Sequence, residues 1–208
     1  VTGISLLGGS SGNRVAENSI RDDAERMAQG IALETTWSNP VERNLIYGSE
    51  MGVAIEPQAA NNVVVDNTVV YGSYGFSVSG SNNNIERNLI SQQTRGILFP
   101  ETYQRTITQG NTFRGNVLAD NGTSHIYTNL DSLANVFVEN VFLNGGRDQV
   151  ADQGTDNVWT LDGVGCSPQA GWGRLHSRMW RKVSSVALPP SMMPAASRLR
   201  VSRRARRG

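Results

Sequence analysis

Short bursts of alternating polar and apolar residues recur along this chain, and each burst carries asparagine at fixed places. The unit is Asn, any, apolar, any, any, Asn, any, apolar. It appears as Asn13-Val15-Asn18-Ile20, Asn39-Val41-Asn44-Ile46, Asn62-Val64-Asn67-Val69 and Asn83-Ile85-Asn88-Ile90. Later copies are Asn111-Phe113-Asn116-Leu118, Asn135-Phe137-Asn140-Phe142 and Asn157-Trp159-Asp162-Val164, the last with Asp in place of the second Asn. Successive central apolar residues are separated by 26, 23, 21, 28, 24 and 22 positions. A period in this range marks a solenoid or propeller, and its shortness suits one three-sided coil per repeat.

A second strand precedes each unit, with Gly-apolar-any-apolar spacing in Gly3-Ile4-Leu6, Gly30-Ile31-Leu33, Gly52-Val53-Ile55, Gly75-Phe76-Val78 and Gly96-Ile97-Phe99. Its period of two is that of a strand, and no part of the body keeps the three-and-four spacing of an amphipathic helix. The chain is therefore expected to be all-β, a right-handed parallel β-helix of about seven coils over residues 1–165. In such a stack inward side chains meet their counterparts about 4.8 Å along the axis, giving a core roughly 30 Å tall. Burial stabilises by roughly 1.5 to 3 kcal/mol per large side chain.

Thirteen of nineteen Asn fall in the two repeat columns, and Asn18, Asn44, Asn67, Asn88, Asn116 and Asn140 form the more regular one. Asn tolerates left-handed backbone at a corner, and its amide both donates and accepts, so the columns are expected to be structural ladders rather than a ligand row. Two positions beyond the central apolar residue, Glu17, Arg43, Asp66 and Arg87 alternate in sign up the stack, as cross-strand pairing favours.

Charge divides the chain at residue 165. Up to Gly165 there are 18 acids against nine Arg; from Cys166 to Gly208 there are nine Arg and Lys182 with no acid. Residues 166–208 are expected to be a disordered or aberrant basic tail, with an out-of-frame or chimeric translation preferred over an arm for nucleic acid or anionic surfaces. A nucleic-acid partner is not expected for the body. The single cysteine, Cys166, excludes an internal disulfide framework. No segment has the length of a membrane span, and no signal segment opens the chain. Beginning at Val1, it reads as a fragment truncated at both ends, with exposed end coils and marginal solubility expected.

In a solenoid the loops of one side carry function. Glu34 and Glu56 occupy the same place after Leu33 and Ile55, so they are expected to stack as like charges that bind a cation or raise a pKa. The longest loop, Pro100 to Gly110, holds Glu101, Tyr103 and Arg105, while Trp37 and Asp131 lie in loops of the same side. Small outward residues Ser5, Ala32, Ala54 and Ser77 leave a shallow floor from which Leu98 and Tyr127 rise, a shape for an extended polymer. The ligand-binding candidates are thus Glu34, Trp37, Glu56, Glu101, Tyr103, Arg105, Tyr127 and Asp131.

Chemistry is less legible. Glycoside hydrolysis needs paired carboxylates and lyase or epimerase chemistry a base beside a cation, roles for which Glu56, Glu101 and Arg105 are the candidates. Asp22, Asp23 and Glu25 offer only three carboxylates to Ca²⁺, which wants six or more oxygens. His125 replaces the strand-opening Gly of its coil and is read as a general base or, more simply, a packing substitution. Soft copper ligands amount to Met27, Met51 and His125 on different coils. No cofactor is evident, with Ca²⁺ or copper the alternatives.

Asn44-Leu45-Ile46-Tyr47-Gly48 followed by Gly52-Val53, and the closing Asn157-Val158-Trp159-Thr160-Leu161-Asp162-Gly163-Val164-Gly165, resemble the NosD family. That family shares its pectin-lyase-like repeats with carbohydrate-binding proteins and sugar hydrolases. The resemblance implies a periplasmic or extracellular place and help in assembling the copper site of nitrous oxide reductase through partner proteins. The Asp-Pro-His-Asp run of mannuronan epimerases and the Asp-Asp plus Gly-His-Gly set of polygalacturonases are absent, which weighs against catalysis. The expectation is a binding or assembly module for a polysaccharide or partner protein, with a polysaccharide-processing enzyme or a copper-site accessory as alternatives.

Overall fold

The computed structural model describes residues 1–23, 27–101, 106–144 and 150–160. Within them the chain is a parallel β-solenoid of about six turns without a helix. Each complete coil has three strands. In the second coil they are Gln29–Leu33, Pro40–Glu42 and Leu45–Tyr47. In the sixth they are Ser124–Thr128, Val136–Val138 and Val141–Leu143. First and third strands stack into an 11-stranded sheet, and second strands into a separate seven-stranded sheet. The expected boundary between body and tail at residue 165, and the second half of the seventh repeat, lie outside the described residues.

The register follows the repeat. Val15, Val41, Val64, Ile85, Phe113, Phe137 and Trp159 are successive partners up the second-strand sheet. Ile4, Ile31, Val53, Phe76, Ile97 and Ile126 form the first-strand column. Ile20, Ile46, Val69, Ile90, Leu118 and Phe142 form the third. Inward side chains from Ile31 to Ile126 are fully buried. Toward the C-terminal coils the columns become aromatic: Phe113 stacks on Phe137 at 4.7 Å and Phe137 on Trp159 at 3.9 Å between centroids. Flat rings stacked one per rung suit the coil spacing.

The asparagine ladders are structural, and their geometry is specific. In the second column each backbone N–H donates to the side-chain oxygen of the next Asn: Asn44 to Asn67 at 2.9 Å, Asn67 to Asn88 at 2.9 Å, Asn88 to Asn116 at 3.0 Å. The side-chain NH₂ donates to that same oxygen and to a carbonyl of the preceding coil, as Asn67 does to Val41 at 2.9 Å. One expectation fails here. No ladder Asn has a positive φ; the left-handed residue is the one before it, Glu17, Arg43, Asp66, Arg87, Gly115 and Glu139 in one column and Gly12, Ser38, Asn61, Asn82, Gly110, Ala134 and Asp156 in the other. Turning the chain at that residue frees the Asn to point its amide inward, where the corner's backbone groups have no strand partner. The alternating charges stand on these turned residues, and Arg43 meets Glu17 at 2.8 Å while Arg87 grips Asp66 at 3.0 and 3.2 Å.

Candidate functional site

The loops after the first strands form one edge, and they are pinned rather than loose. Parallel bridges link Ser11, Trp37, Ala60 and Ser81 in successive coils, and Thr108–Gln109 pairs with Ser132–Leu133. Glu34 and Glu56 follow their strands in adjacent coils. The Glu56 carboxyl lies above the ordinary glutamate range, first because it is half-buried and also because the Glu34 charge faces it. A hydrogen bond from Gln29 Nε2 at 2.8 Å opposes that shift.

Trp37 is 44% exposed, and its ring lies over Gly9, where an added Cβ would come within 3.4 Å. Glu101, exposed, and Asp131, half-buried, lie on the same edge, two and three coils beyond Glu56. Two coils put about 10 Å between backbones. Tyr103 and Arg105 lie outside the described residues, so the trio Glu56, Glu101 and Arg105 is not assembled among those described. Tyr127 pairs with Leu98 in the expected column, and the Arg95 guanidinium covers its ring at 4.7 Å.

The shallow floor requires correction. Ser5, Ala32, Ala54, Ser77, Leu98 and Tyr127 do align. Yet Ala32 and Ala54 are only 2% and 1% exposed, and Ser77 and Leu98 are buried too. A column of small residues therefore does not by itself make an open bed.

His125 occupies the place of Gly96 one coil on, as expected, but it is fully buried. Its ring stacks on Phe142 at 5.4 Å, and Nδ1 faces the Asn121 amide at 3.0 Å. Burial pushes its pKa down to about 4. A neutral imidazole closed off in the core is a packing residue, not a solvent-facing base. For the Ca²⁺ candidate, Asp22 accepts the Met27 backbone N–H, Asp23 pairs with Arg21, and Glu25 lies outside the described residues. Among the described residues no three His, Cys, Asp or Glu side chains group to hold a metal ion. Met27 and Met51 flank adjacent first strands, while His125 sits three coils further on; these residues do not fit a copper centre.

Three features lie beyond the sequence reading. Leu7, Trp37, Ile107 and Leu130, at 51, 44, 50 and 77% exposure, all belong to the pinned loop edge. At another corner, where third strands lead into first strands, Gly48, Ser49, Glu50, Tyr71, Gly72, Ser73 and Gln92 line a groove. At the last coil, Asp152 accepts from Thr128 at 2.5 Å, Trp159 at 2.6 Å, Asn157 at 2.9 Å and the Gly154 N–H at 3.0 Å. Burial pushes that carboxyl up, but these four hydrogen bonds together hold it below the usual aspartate range. The spacing of the loops hides the first two, because loop lengths vary while rungs do not.

No curated protein and no solved structure matches the chain. A family model does: that of NosD, described as a periplasmic copper-binding protein, over residues 2–165. No helix among the described residues is long and apolar enough to cross a membrane. The match runs the length of the solenoid that the Asn columns build, and the chain therefore belongs to the NosD family as an extracytoplasmic β-helix module.

Proposed function

We propose that this module binds a partner protein along the loop edge, with Glu34, Trp37, Glu56, Glu101, Tyr103, Arg105, Tyr127 and Asp131 as the polar and aromatic contacts. The observation that carries the reading is the set of exposed Leu7, Trp37, Ile107 and Leu130 in the first, second, fifth and sixth coils of this edge, which also bears Glu34, Glu56 and Glu101. It runs from the first coil to the sixth, about 24 Å along the axis. Large exposed apolar side chains on one edge of a rigid scaffold mark interaction surfaces, and pinned loops lose little entropy on docking. The carboxylates favour a partner patch that is apolar and basic. A polysaccharide on the same edge would stack on Trp37 and Tyr127, and Arg95 already covers Tyr127. Apo nitrous oxide reductase, the protein implied by the family resemblance, is the natural probe. Affinity measured by biolayer interferometry is expected to fall more than about tenfold in a Trp37→Ser, Leu130→Ser double variant whose melting curve is unchanged. Equal affinity for the double variant and the parent would sink the loop edge as the docking surface.

Copper handling is the second reading, favoured by the family's description. Since the described residues do not fit a copper centre, the metal on this reading is held by the partner. A Cu(I) competition titration of the isolated chain is expected to show no stoichiometric uptake; uptake lost on replacing Met27 or Met51 would overturn this.

A further inference from the structure

The groove where third strands lead into first strands has a volume of about 450 Å³, within the size range of small-molecule sites. Two glycines let neighbouring coils approach closely there. A Cβ on Gly48 would lie 2.1 Å from the Asp22 carbonyl oxygen, and one on Gly72 2.1 Å from that of Ser49. Beside it Tyr71, 46% exposed, stacks on Tyr47 with centroids 5.6 Å apart and planes 13° off parallel. Arg21 in turn lies over Tyr47 at 5.5 Å. The ring at the groove is thereby held in place before any ligand arrives.

The rest of the lining is polar and mixed: the Ser73 hydroxyl, the Gln92 amide and the Glu50 carboxylate, with no Lys or Arg, while Ser49 is buried. We infer that this groove is a binding site for a neutral sugar residue. A pyranose offers an apolar C–H face to an aromatic ring and a rim of hydroxyls that donate and accept together. Tyr71 supplies the ring; Glu50 accepts, and Gln92 and Ser73 do both. A uronate is disfavoured, because its carboxylate would face Glu50 with no cation to offset it. A bare ammonium group offers donors only and leaves the Gln92 NH₂ facing another donor. The site stands apart from the loop edge and does not depend on the partner-protein reading.

Calorimetric titration of the full chain with cellohexaose, mannohexaose and maltohexaose tests it, with hexagalacturonate and spermidine alongside. At least one neutral hexaose is expected to bind with a dissociation constant of about 1 mM or tighter. Tyr71→Asn removes the ring yet suits the positive φ of 62° at that position, and is expected to weaken binding about tenfold. Glu50→Gln keeps the shape and is expected to weaken it severalfold at an unchanged melting temperature. Three results overturn the inference: no neutral hexaose binding up to about 10 mM, hexaose binding that Trp37→Ser abolishes while Tyr71→Asn and Glu50→Gln leave it intact, or binding of spermidine or hexagalacturonate alone.

Discussion

Asn67 shows what a single ladder residue does. Its side-chain oxygen takes both the backbone N–H and the amide of Asn44, and its NH₂ serves Val41 and Asn88, all at 2.9 to 3.0 Å and out of water. Asn67→Ala leaves buried donors of Asn44 unpaired, each costing about 1 to 3 kcal/mol. Urea denaturation is expected to show a loss of about 3 kcal/mol or more, against a smaller loss for part-buried Asn18. His125 makes the chain acid-sensitive. In the unfolded state it protonates near its ordinary 6.5, but in the fold it stays neutral to about pH 4. Its contribution is therefore full above pH 6.5 and drains as pH falls toward 4, by about 3 kcal/mol in all. His125→Gln is expected to flatten that part of the stability profile, and an unflattened profile would assign the acid loss elsewhere. Glu56 has the opposite sign of effect. Its raised pKa means stability declines as pH rises from the unfolded through the folded value, so Glu56→Gln is expected to raise the melting temperature at pH 7 and not at pH 3.

Corners, not strands, are where the elements carry strain. Thirteen residues before ladder Asn positions turn through left-handed backbone, most of them not glycine. Such a conformation costs a non-glycine residue roughly 1 to 2 kcal/mol, partly returned when Gly would lose more chain entropy on folding. Ala134, at φ 51°, gains no ion pair or hydrogen bond from its side chain. Ala134→Gly is accordingly expected to stabilise by about 0.5 to 1 kcal/mol. At Arg87 the same change gives up the bidentate contact with Asp66 and should bring less benefit. Strands need no such tuning, because their short runs, five residues in Gln29–Leu33 and three in Pro40–Glu42, are fixed by the columns they stack upon.

Over the whole molecule, each coil leans only on its neighbours, so stability is a sum of rung-to-rung interfaces and opening begins at the ends. Asp152 ties the last described coil to the one before it through Thr128 and to its own Trp159. Asp152→Ala is expected to raise amide exchange in Val150–Asp152 and Val158–Thr160 while leaving the central coils protected. Uniform acceleration across all coils would show instead that the solenoid opens as one unit. The same rigidity suits a docking edge, since a stack held rung by rung presents its loops at fixed intervals to a partner.

The coil, its register and its ladders were legible because stacking identical rungs writes the same residue type into the sequence every two dozen positions. Val41, Val64 and Ile85 had to be neighbours once the repeat was seen. The stacked carboxylates Glu34 and Glu56 were legible for the same reason. Surface properties were not. Whether Ala32 is open or His125 closed depends on side chains arriving from other coils. Likewise, the left-handed turn sits beside the Asn rather than on it because the amide must face inward. Repetition along the chain determined the fold; exposure, pKa and the groove beside Tyr71 were decided only by packing between coils, since those depend on which unlike residues the stack brings together.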